Sequence, residues 1–374
     1  MPRTLPRIMT LLGTRPEIVR LSETIRKLDA YTDHCLVFTG QSYDYEMSRI
    51  FFDELDVRET DYTLDVRANS TAKQVGNILA RCEKVLVKEK PDAVLVLGDT
   101  NSALSAYAAR RLGIQVFHME AGNRCWNRHV PEEINRKIID HIADVNLCYT
   151  EHARRNLLRE GLHPNDIYVI GSPLPEVYNR HKDSIQRSVI LDELAVNPKG
   201  YLLASIHREE NVTDHHHLSK IMQGLSSLGH EYHVPVVFST HPRTREKLSG
   251  KESGLASCDN VLLHAPFGMF DYIRLQQNAL CCLSDSGTIH EDAALLGIVA
   301  VNVRTSQERP EAYETGNVIM SGVEPDDIQS AVRTAIQQDT DGIRFDVPWE
   351  YQVTDYSNRA VRLIMSLVYG RRTG

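Results

Sequence analysis

The sequence has no run of 18 apolar residues, so no segment reads as a membrane-spanning helix. Met1-Pro-Arg-Thr-Leu-Pro-Arg7 leads straight into a short apolar run, without the hydrophobic stretch and cleavage site of a secretory signal. The seven cysteines, Cys35, Cys82, Cys125, Cys148, Cys258, Cys281 and Cys282, are odd in number and form no Cys-x-x-Cys pair. A disulfide scaffold is therefore not expected, and a reducing cytoplasm is the expected location. Positive charge is short as well: 42 Lys and Arg face 50 Asp and Glu, a formal net charge of -8. That balance argues against partners bound by phosphate neutralisation along a nucleic acid, while leaving room for a local basic pocket. The first turn has no G-x-G-x-x-G, which removes the dinucleotide fingerprint. No Gly-Lys-Ser/Thr occurs, no H-E-x-x-H occurs, and Ser286 lacks the flanking glycines of a nucleophile elbow.

What remains is ordinary for a soluble globular protein, 42% hydrophobic and 25% charged, and 374 residues suggest two domains. Short apolar runs alternate with segments of helical period. Runs at 8–12, 35–38, 91–97, 115–119, 144–148 and 166–170 read as strands in the first half. Those at 201–206, 234–238, 261–263, 280–283 and 298–303 do so in the second. Residues 58–70 read as loop, and 357–369 as a closing helix. The alternation predicts a parallel, doubly wound α/β fold in each half, with a cleft between the halves as the default ligand site. In the segment Glu120–His141, four acids and six basic or imidazole groups span a polar loop and a helix start. Ile134, Ile138 and Ile142 recur four apart there and give that helix one apolar face.

Nearly every predicted strand ends in an ionisable or hydroxyl group: Arg15, Asp99, Glu120, His207, His241 and Asp285-Ser286. Loops are polar in any case, but this regularity favours an enzyme over a binding scaffold. Arg15 stands at a strand–turn–helix junction, where an anion would meet a guanidinium and a helix terminus. Glu132 and Glu133 suit the first helical turn for dipole reasons and pair in spacing with Arg136 and Lys137. Ser286-Gly287-Thr288 before a helix reads as a diphosphate cradle or as an ordinary cap. The run His215-His216-His217 reads as solvated surface, with Asp214 as the cap of the helix that follows. Cys281 and Cys282, adjacent on a strand, point to opposite faces and make a poor metal pair.

Gly13-Thr-Arg-Pro-Glu17, Gly98-Asp-Thr100, Glu120-Ala-Gly122, Pro131-Glu-Glu-Ile-Asn-Arg136, His207-Arg-Glu-Glu-Asn211, Ser284-Asp-Ser-Gly287 and Glu308-Arg-Pro310 together resemble the non-hydrolysing UDP-N-acetylglucosamine 2-epimerases. The resemblance runs from about residue 8 to about residue 365, with the motifs in the family's order. It implies a glycosyltransferase-B-like architecture of two Rossmann-like doubly wound domains around a central cleft. The expected limits are 1–172 for a domain carrying the catalytic carboxylates, 173–352 for a UDP-binding domain, and 353–374 for a helix packing back on the first. It implies inversion of C2 of a UDP-2-acetamido sugar through UDP elimination and re-addition, with no cofactor, no metal, no nucleic acid, no membrane and a homodimer. The catalytic set it implies is Asp99, Glu120, Glu132 and His207. The substrate and UDP contacts it implies are Arg15, Arg20, Arg136, His241, Tyr272, Ser286, Gly287, Asp292 and Arg309, with Glu311 near the nucleotide.

Three departures from the family's pattern stand out. The family commonly has Leu-Arg-Thr or Leu-Arg-Ser after Glu-Ala-Gly, where this chain has Asn123-Arg-Cys125-Trp126. Asp292 is one methylene shorter than the family's glutamate, and Arg20 stands where many members have lysine. With His207–Val212, Ser239–Arg245 and Ser286–Ile289, the pattern resembles the branch forming UDP-N-acetyl-L-fucosamine for capsule or O-antigen assembly. Ser42-Tyr43 and Arg243-Thr-Arg245 depart from the segments that bind an activating second substrate in some members, so such activation is not expected. A hydrolysing UDP-sugar 2-epimerase and a retaining glycosyltransferase are the alternatives of the same architecture.

Overall fold

The computed structural model describes residues 5–41, 45–240, 242–248 and 258–372; His241 lies outside them. The chain divides into two compact units, residues 1–180 with 352–374, and residues 181–351.

The first unit holds a seven-stranded sheet: β1 Arg7–Leu12, β2 Asp33–Phe38, β3 Tyr62–Thr63, β4 Ala93–Leu97, β5 Gln115–Met119, β6 Val145–Cys148 and β7 Ile167–Val169. Its order is β3-β2-β1-β4-β5-β6-β7, with every pairing parallel. The central strands are apolar throughout because helices cover both faces, and β4 is buried along its whole length. Ala103, Ala106, Ala108 and Ala109, all buried, let their helical segment lie close to this sheet. Gly13 follows β1 because a Cβ there would meet the Ser102 and Thr39 hydroxyl oxygens, each at 2.1 Å. The closing helix Tyr356–Arg372 packs on the helix Arg15–Tyr31. Ser357 fixes it by donating its N–H (2.7 Å) and hydroxyl (2.6 Å) to the Glu176 carboxylate.

The second unit repeats the plan with β8 Leu202–Ser205, β9 Val236–Ser239, β10 Val261–His264, β11 Cys281–Ser284, β12 Ala300–Asn302 and β13 Ile319–Met320. Their order is β10-β9-β8-β11-β12-β13, again all parallel. Cys281 and Cys282 belong to different core clusters, as opposite faces of one strand require. Asp214 Oδ1 caps the helix His215–Tyr232 by accepting the His216 and His217 N–H groups. In each unit the strand order reverses beside its first strand, at β1/β4 and at β8/β11. Open α/β sheets bind ligands outside the carboxyl ends of the strands at such points.

One sequence expectation is corrected. The 58–70 segment contains β3, a two-residue strand that pairs with the edge of β2. The helix Pro131–Ile142 buries only the end of the face marked by its isoleucines, where Ile142 packs half-buried on the core. Ile134 is 56% exposed and Ile138 42% exposed, while Glu133, Arg136, Ile139 and Asp140 are buried. Its inward side carries the charged groups that support the strand ends, so Ile134 and Ile138 are left on the surface. All seven cysteines are free thiols. Among the described residues no helix is long and apolar enough to cross a membrane, and no group of three His, Cys, Asp or Glu could hold a metal.

Candidate active site

In the first unit, the turn after β1 and the turn after β4 are joined by one buried carboxylate. Pro16 and Glu17 stand in the first turn of the helix Arg15–Tyr31. Glu17 Oε2 accepts the Gly13 N–H (3.0 Å) and the Thr14 hydroxyl (2.7 Å), and Oε1 accepts the Thr100 hydroxyl (3.1 Å). Burial pushes its pKa up to about 7, against the lowering effect of these bonds. Between the ordinary value of 4.5 and about 7 the native state therefore holds a proton that the unfolded state has lost. Stability contributed here is complete below pH 4.5 and falls by about 3 kcal/mol as pH rises to 7. A Glu17→Gln chain keeps an oxygen for Gly13 and Thr14 and turns its amide toward Thr100. We expect its denaturant midpoint to lose this slope between pH 5 and 8; an unchanged slope would contradict the assignment.

Asp99, one residue beyond Gly98 at the end of β4, is held by Arg136. The guanidinium donates to Asp99 Oδ2 from Nε (2.9 Å) and Nη2 (2.7 Å), and from Nη1 to Glu133 Oε2 (3.1 Å). Arg136 thus turns to Asp99 and to Glu133, the latter three residues before it on the helix. Asn135 donates to the Asp99 carbonyl oxygen at 2.8 Å and so fixes the backbone as well. Glu120 directly follows β5 and has φ of +63°, a left-handed conformation that few non-glycine residues adopt. Its Oε2 lies 3.7 Å from Arg20 Nε, and the Arg20 guanidinium rests over the Tyr149 ring at 5.6 Å. Each of these two strand-end carboxylates thus has its own buried arginine. Glu132 is half-buried in the first turn of the helix Pro131–Ile142. Arg15 lies over the Phe51 ring at 5.8 Å.

Glu133, beside Glu132, ties down the polar loop. Its carboxylate accepts the Cys125 N–H (3.1 Å) and the Trp126 N–H (3.3 Å). Trp126 also adopts a left-handed backbone, is 56% exposed, and has Lys137 Nζ over its ring at 5.7 Å.

In the second unit, Asp285 follows β11 and is fully buried. It accepts the His207 N–H (3.0 Å), the Arg208 N–H (2.9 Å) and the Asn211 side-chain amide (3.0 Å). His207 Nδ1 lies 3.3 Å from Asp285 Oδ1, which puts Nε2 on the far side of the ring. One carboxylate therefore fixes both the backbone and the imidazole of the loop after β8. Gly287 lies where groups crowd together: a Cβ there would stand 2.8 Å from Glu308 Oε1, 3.6 Å from Arg208 Nη2 and 3.8 Å from Arg309 Nε. Arg208 bonds Glu308 (3.0 Å), Glu308 bonds Arg304 (2.8 Å), and Arg309 pairs with Glu291 (3.3 Å). Ser286 Oγ accepts the Thr288 N–H at 3.2 Å. Burial lowers the His290 pKa to about 4, so the ring is neutral at pH 7. Its Nδ1 donates to the Gly287 carbonyl (3.0 Å), and Nε2 accepts from the Tyr313 hydroxyl (3.0 Å). Asp292 accepts from Gln276 Nε2 at 2.8 Å. Tyr272 bonds Ser205, and burial raises its phenol well above the ordinary value.

The first unit thus brings Asp99 to Arg136 and Glu120 to Arg20, while the second brings Gly287 to Arg309. Sequence reasoning placed Asp285 at a strand end and Glu17 and Glu133 in first helical turns without a supporting role, and gave Arg208 none. Arg208 sits inside the His207–Asn211 motif already noted.

The family model for UDP-N-acetylglucosamine 2-epimerase matches residues 26–364. The UDP-N-acetylglucosamine 2-epimerase structure from Rickettsia bellii is 44% identical, with a TM-score of 0.90 and 97% of each chain covered. The Methanocaldococcus jannaschii UDP-GlcNAc 2-epimerase, solved with UDP-GlcNAc and UDP, is 34% identical with a TM-score of 0.89, covering 96% of this chain and 99% of that one. A UDP-2,3-diacetamido-2,3-dideoxy-D-glucuronate 2-epimerase of Pseudomonas aeruginosa is 33% identical, covering 89% of this chain and 92% of that one. With two parallel Rossmann-like units of the glycosyltransferase-B-like class and these matches along nearly its whole length, the chain belongs to the UDP-N-acetylglucosamine 2-epimerase family of isomerases.

Proposed function

We propose that the protein inverts C2 of a UDP-2-acetamido-2-deoxy hexose by eliminating UDP and adding it back. The observation that carries this reading is the pair of strand-end carboxylates, Asp99 and Glu120, each set against its own arginine. A carboxylate takes the C2 proton, the C–H electrons form the C1–C2 double bond, and the C1–O bond breaks with its electrons leaving on UDP. Reprotonation of the 2-acetamidoglycal from the other face and re-addition of the UDP oxygen to C1 complete the inversion. Carboxylates in general acid and base roles, with Glu132 as the third of the set, supply the proton transfers. UDP is itself the leaving group and the returning nucleophile, so the cycle calls for no nicotinamide and no metal. What it needs instead is an anion site that retains UDP. We assign this to Arg15, Ser286, Gly287 and Arg309, with Tyr272 and Asp292 at the nucleoside and His207 donating toward the diphosphate.

UDP-N-acetylglucosamine is the first substrate to consider, as the R. bellii and M. jannaschii relatives support. The Cys125–Trp126 loop, less polar than the family's usual Thr or Ser, supports UDP-2-acetamido-2,6-dideoxy-L-talose as the finer assignment, since a 6-deoxy ring has one hydroxyl fewer to satisfy. The product would then serve surface polysaccharide assembly from the cytoplasm, a setting that seven free thiols suit. Incubation with each of these sugars, and with the diacetamido-glucuronate, in heavy water tests the reading by NMR at C2. Deuterium at C2 with conversion of one sugar is expected. No incorporation with any of them would remove the proposal, and stoichiometric free sugar and UDP would replace it with hydrolysis.

We further propose a homodimer through the outward face of the helix Pro131–Ile142. Its exposed Ile134 and Ile138 adjoin a neighbouring helix carrying exposed Tyr107. An Ile134→Asp, Ile138→Asp chain is expected to sediment as a folded monomer. A wild-type monomer, or a variant that remains dimeric, would count against this face.

A further inference from the structure

We propose that His118 is an imidazolium that holds the Gly98–Asp99 turn through the Gly98 carbonyl and sets a positive charge behind that turn. It acts through other groups and is a positioning residue; only the kinetic part of its test rests on the C2 proton chemistry proposed above.

His118 lies in β5, paired in register with Val96 of β4 and Asn146 of β6, and is 1% exposed. Its Nε2 is 2.8 Å from the Gly98 carbonyl oxygen. A carbonyl only accepts, so Nε2 carries a proton. Its Nδ1 is 2.8 Å from Asp140 Oδ1. Asp140 also receives the Gly122 N–H, at 3.2 Å to each oxygen, and Arg124 Nη1 on Oδ2 at 2.6 Å. A group surrounded by donors is an ionised carboxylate, so Nδ1 carries a proton as well. A ring with protons on both nitrogens is a cation. Burial works against the charge of Asp140, but His118 and Arg124 outweigh it and hold its pKa below the ordinary aspartate value.

The charges around the ring close on the same answer. Arg124 grips Glu160 through Nε and Nη2, both at 2.7 Å, and Glu160 meets His141 Nε2 at 3.0 Å toward the rim. His118 and Arg124 thus face Asp140 and Glu160, two cations against two anions. A neutral His118 would need the shared proton on Asp140, where the Gly122 N–H and the Arg124 guanidinium favour the ionised carboxylate. From β6 the ring meets Asn146, whose side-chain amide donates to the Asp140 carbonyl. Cys148, on the same strand, is held as a neutral thiol by burial first and by Asp140. On the catalytic side stand Asp99 with Arg136 and Glu120 with Arg20.

The consequence for the site is twofold. The imidazolium pins the carbonyl of Gly98, a residue with φ of +68° immediately before Asp99, and so sets where that carboxylate starts. Its charge also favours the ionised form of a carboxylate that takes a proton beside that turn.

Neutron diffraction from a deuterated wild-type crystal at mildly alkaline pD tests the protonation state without any variant. We expect deuterons on both ring nitrogens of His118 and none on Asp140; one bare ring nitrogen, or a deuterated Asp140, overturns the proposal. The kinetic test is His118→Gln, which keeps one amide donor and loses the charge. Turnover is expected to fall roughly tenfold with KM nearly unchanged, and the acid limb of the kcat profile to move up by roughly one pH unit. A lower turnover with an unmoved acid limb would mean a purely structural role and overturn the charge assignment. The diffraction result holds even if C2 exchange is absent, so failure of the proposed reaction and failure of this assignment are told apart.

Discussion

Replacing Glu120 by Gln lowers turnover by about three orders of magnitude and leaves UDP affinity within a few-fold of wild type. Glu120 adopts a φ of +63°, a conformation that a non-glycine side chain holds only at a cost and that the surrounding β5 turn enforces. Gln is isosteric and keeps that turn, so the variant isolates the loss of a proton acceptor. It also leaves Arg20, which is 4% exposed, without its carboxylate partner. The anion contacts assigned to Ser286, Gly287 and Arg309 are untouched, which is why UDP binding persists. Asp99→Asn behaves alike for a related reason: it removes the anion that receives two Arg136 donors. Steady-state kinetics with calorimetric titration of UDP checks both. Full turnover in either variant would take that carboxylate out of the chemistry.

Asp285→Asn lowers turnover by roughly a hundredfold and destabilises the fold by about 2 kcal/mol or more. All its recorded partners are donors: the N–H groups of His207 and Arg208, and the Asn211 amide. An asparagine must turn its own NH2 toward one side of that set, leaving a buried donor facing donors. The loop after β8 then loses its register, and the His207 imidazole loses the acceptor 3.3 Å from Nδ1. A cycle with His207→Asn separates positioning from mere stability. Combined, the two changes are expected to cost little more than the worse of them, because both act through one imidazole. Additive losses would show that Asp285 serves something other than His207.

The fold was largely legible because buried parallel strands are apolar throughout, and eleven such runs can be read directly from the sequence. The strands that escaped, β3 and β13, are two residues long and too short to carry a period. The helix Pro131–Ile142 was only partly legible for a more telling reason. Its strongest apolar stripe, Ile134 and Ile138, faces out, while Glu133, Arg136 and Asp140 face in. Periodicity locates a stripe but does not say which side the core is on. The strand-end positions of Asp99, Glu120, His207 and Ser286 followed from the strands themselves. Their supports did not, because the partners are remote in sequence: Asp285 lies 78 residues from His207, and Thr100 lies 83 from Glu17. His118 was hidden inside an apolar run, although a histidine within a fully buried strand is itself a signal that its polar atoms have partners.

The central claim is that the C1–O bond to UDP breaks and re-forms in each cycle. A UDP-2-acetamido sugar labelled with heavy oxygen at the bridge between C1 and the β-phosphate tests it most directly, followed by phosphorus NMR together with C2 exchange in heavy water. Elimination and re-addition predict that the label scrambles from the bridge into the non-bridging β-phosphate oxygens while C2 acquires deuterium. Deuterium at C2 with the label still wholly in the bridge would contradict the account.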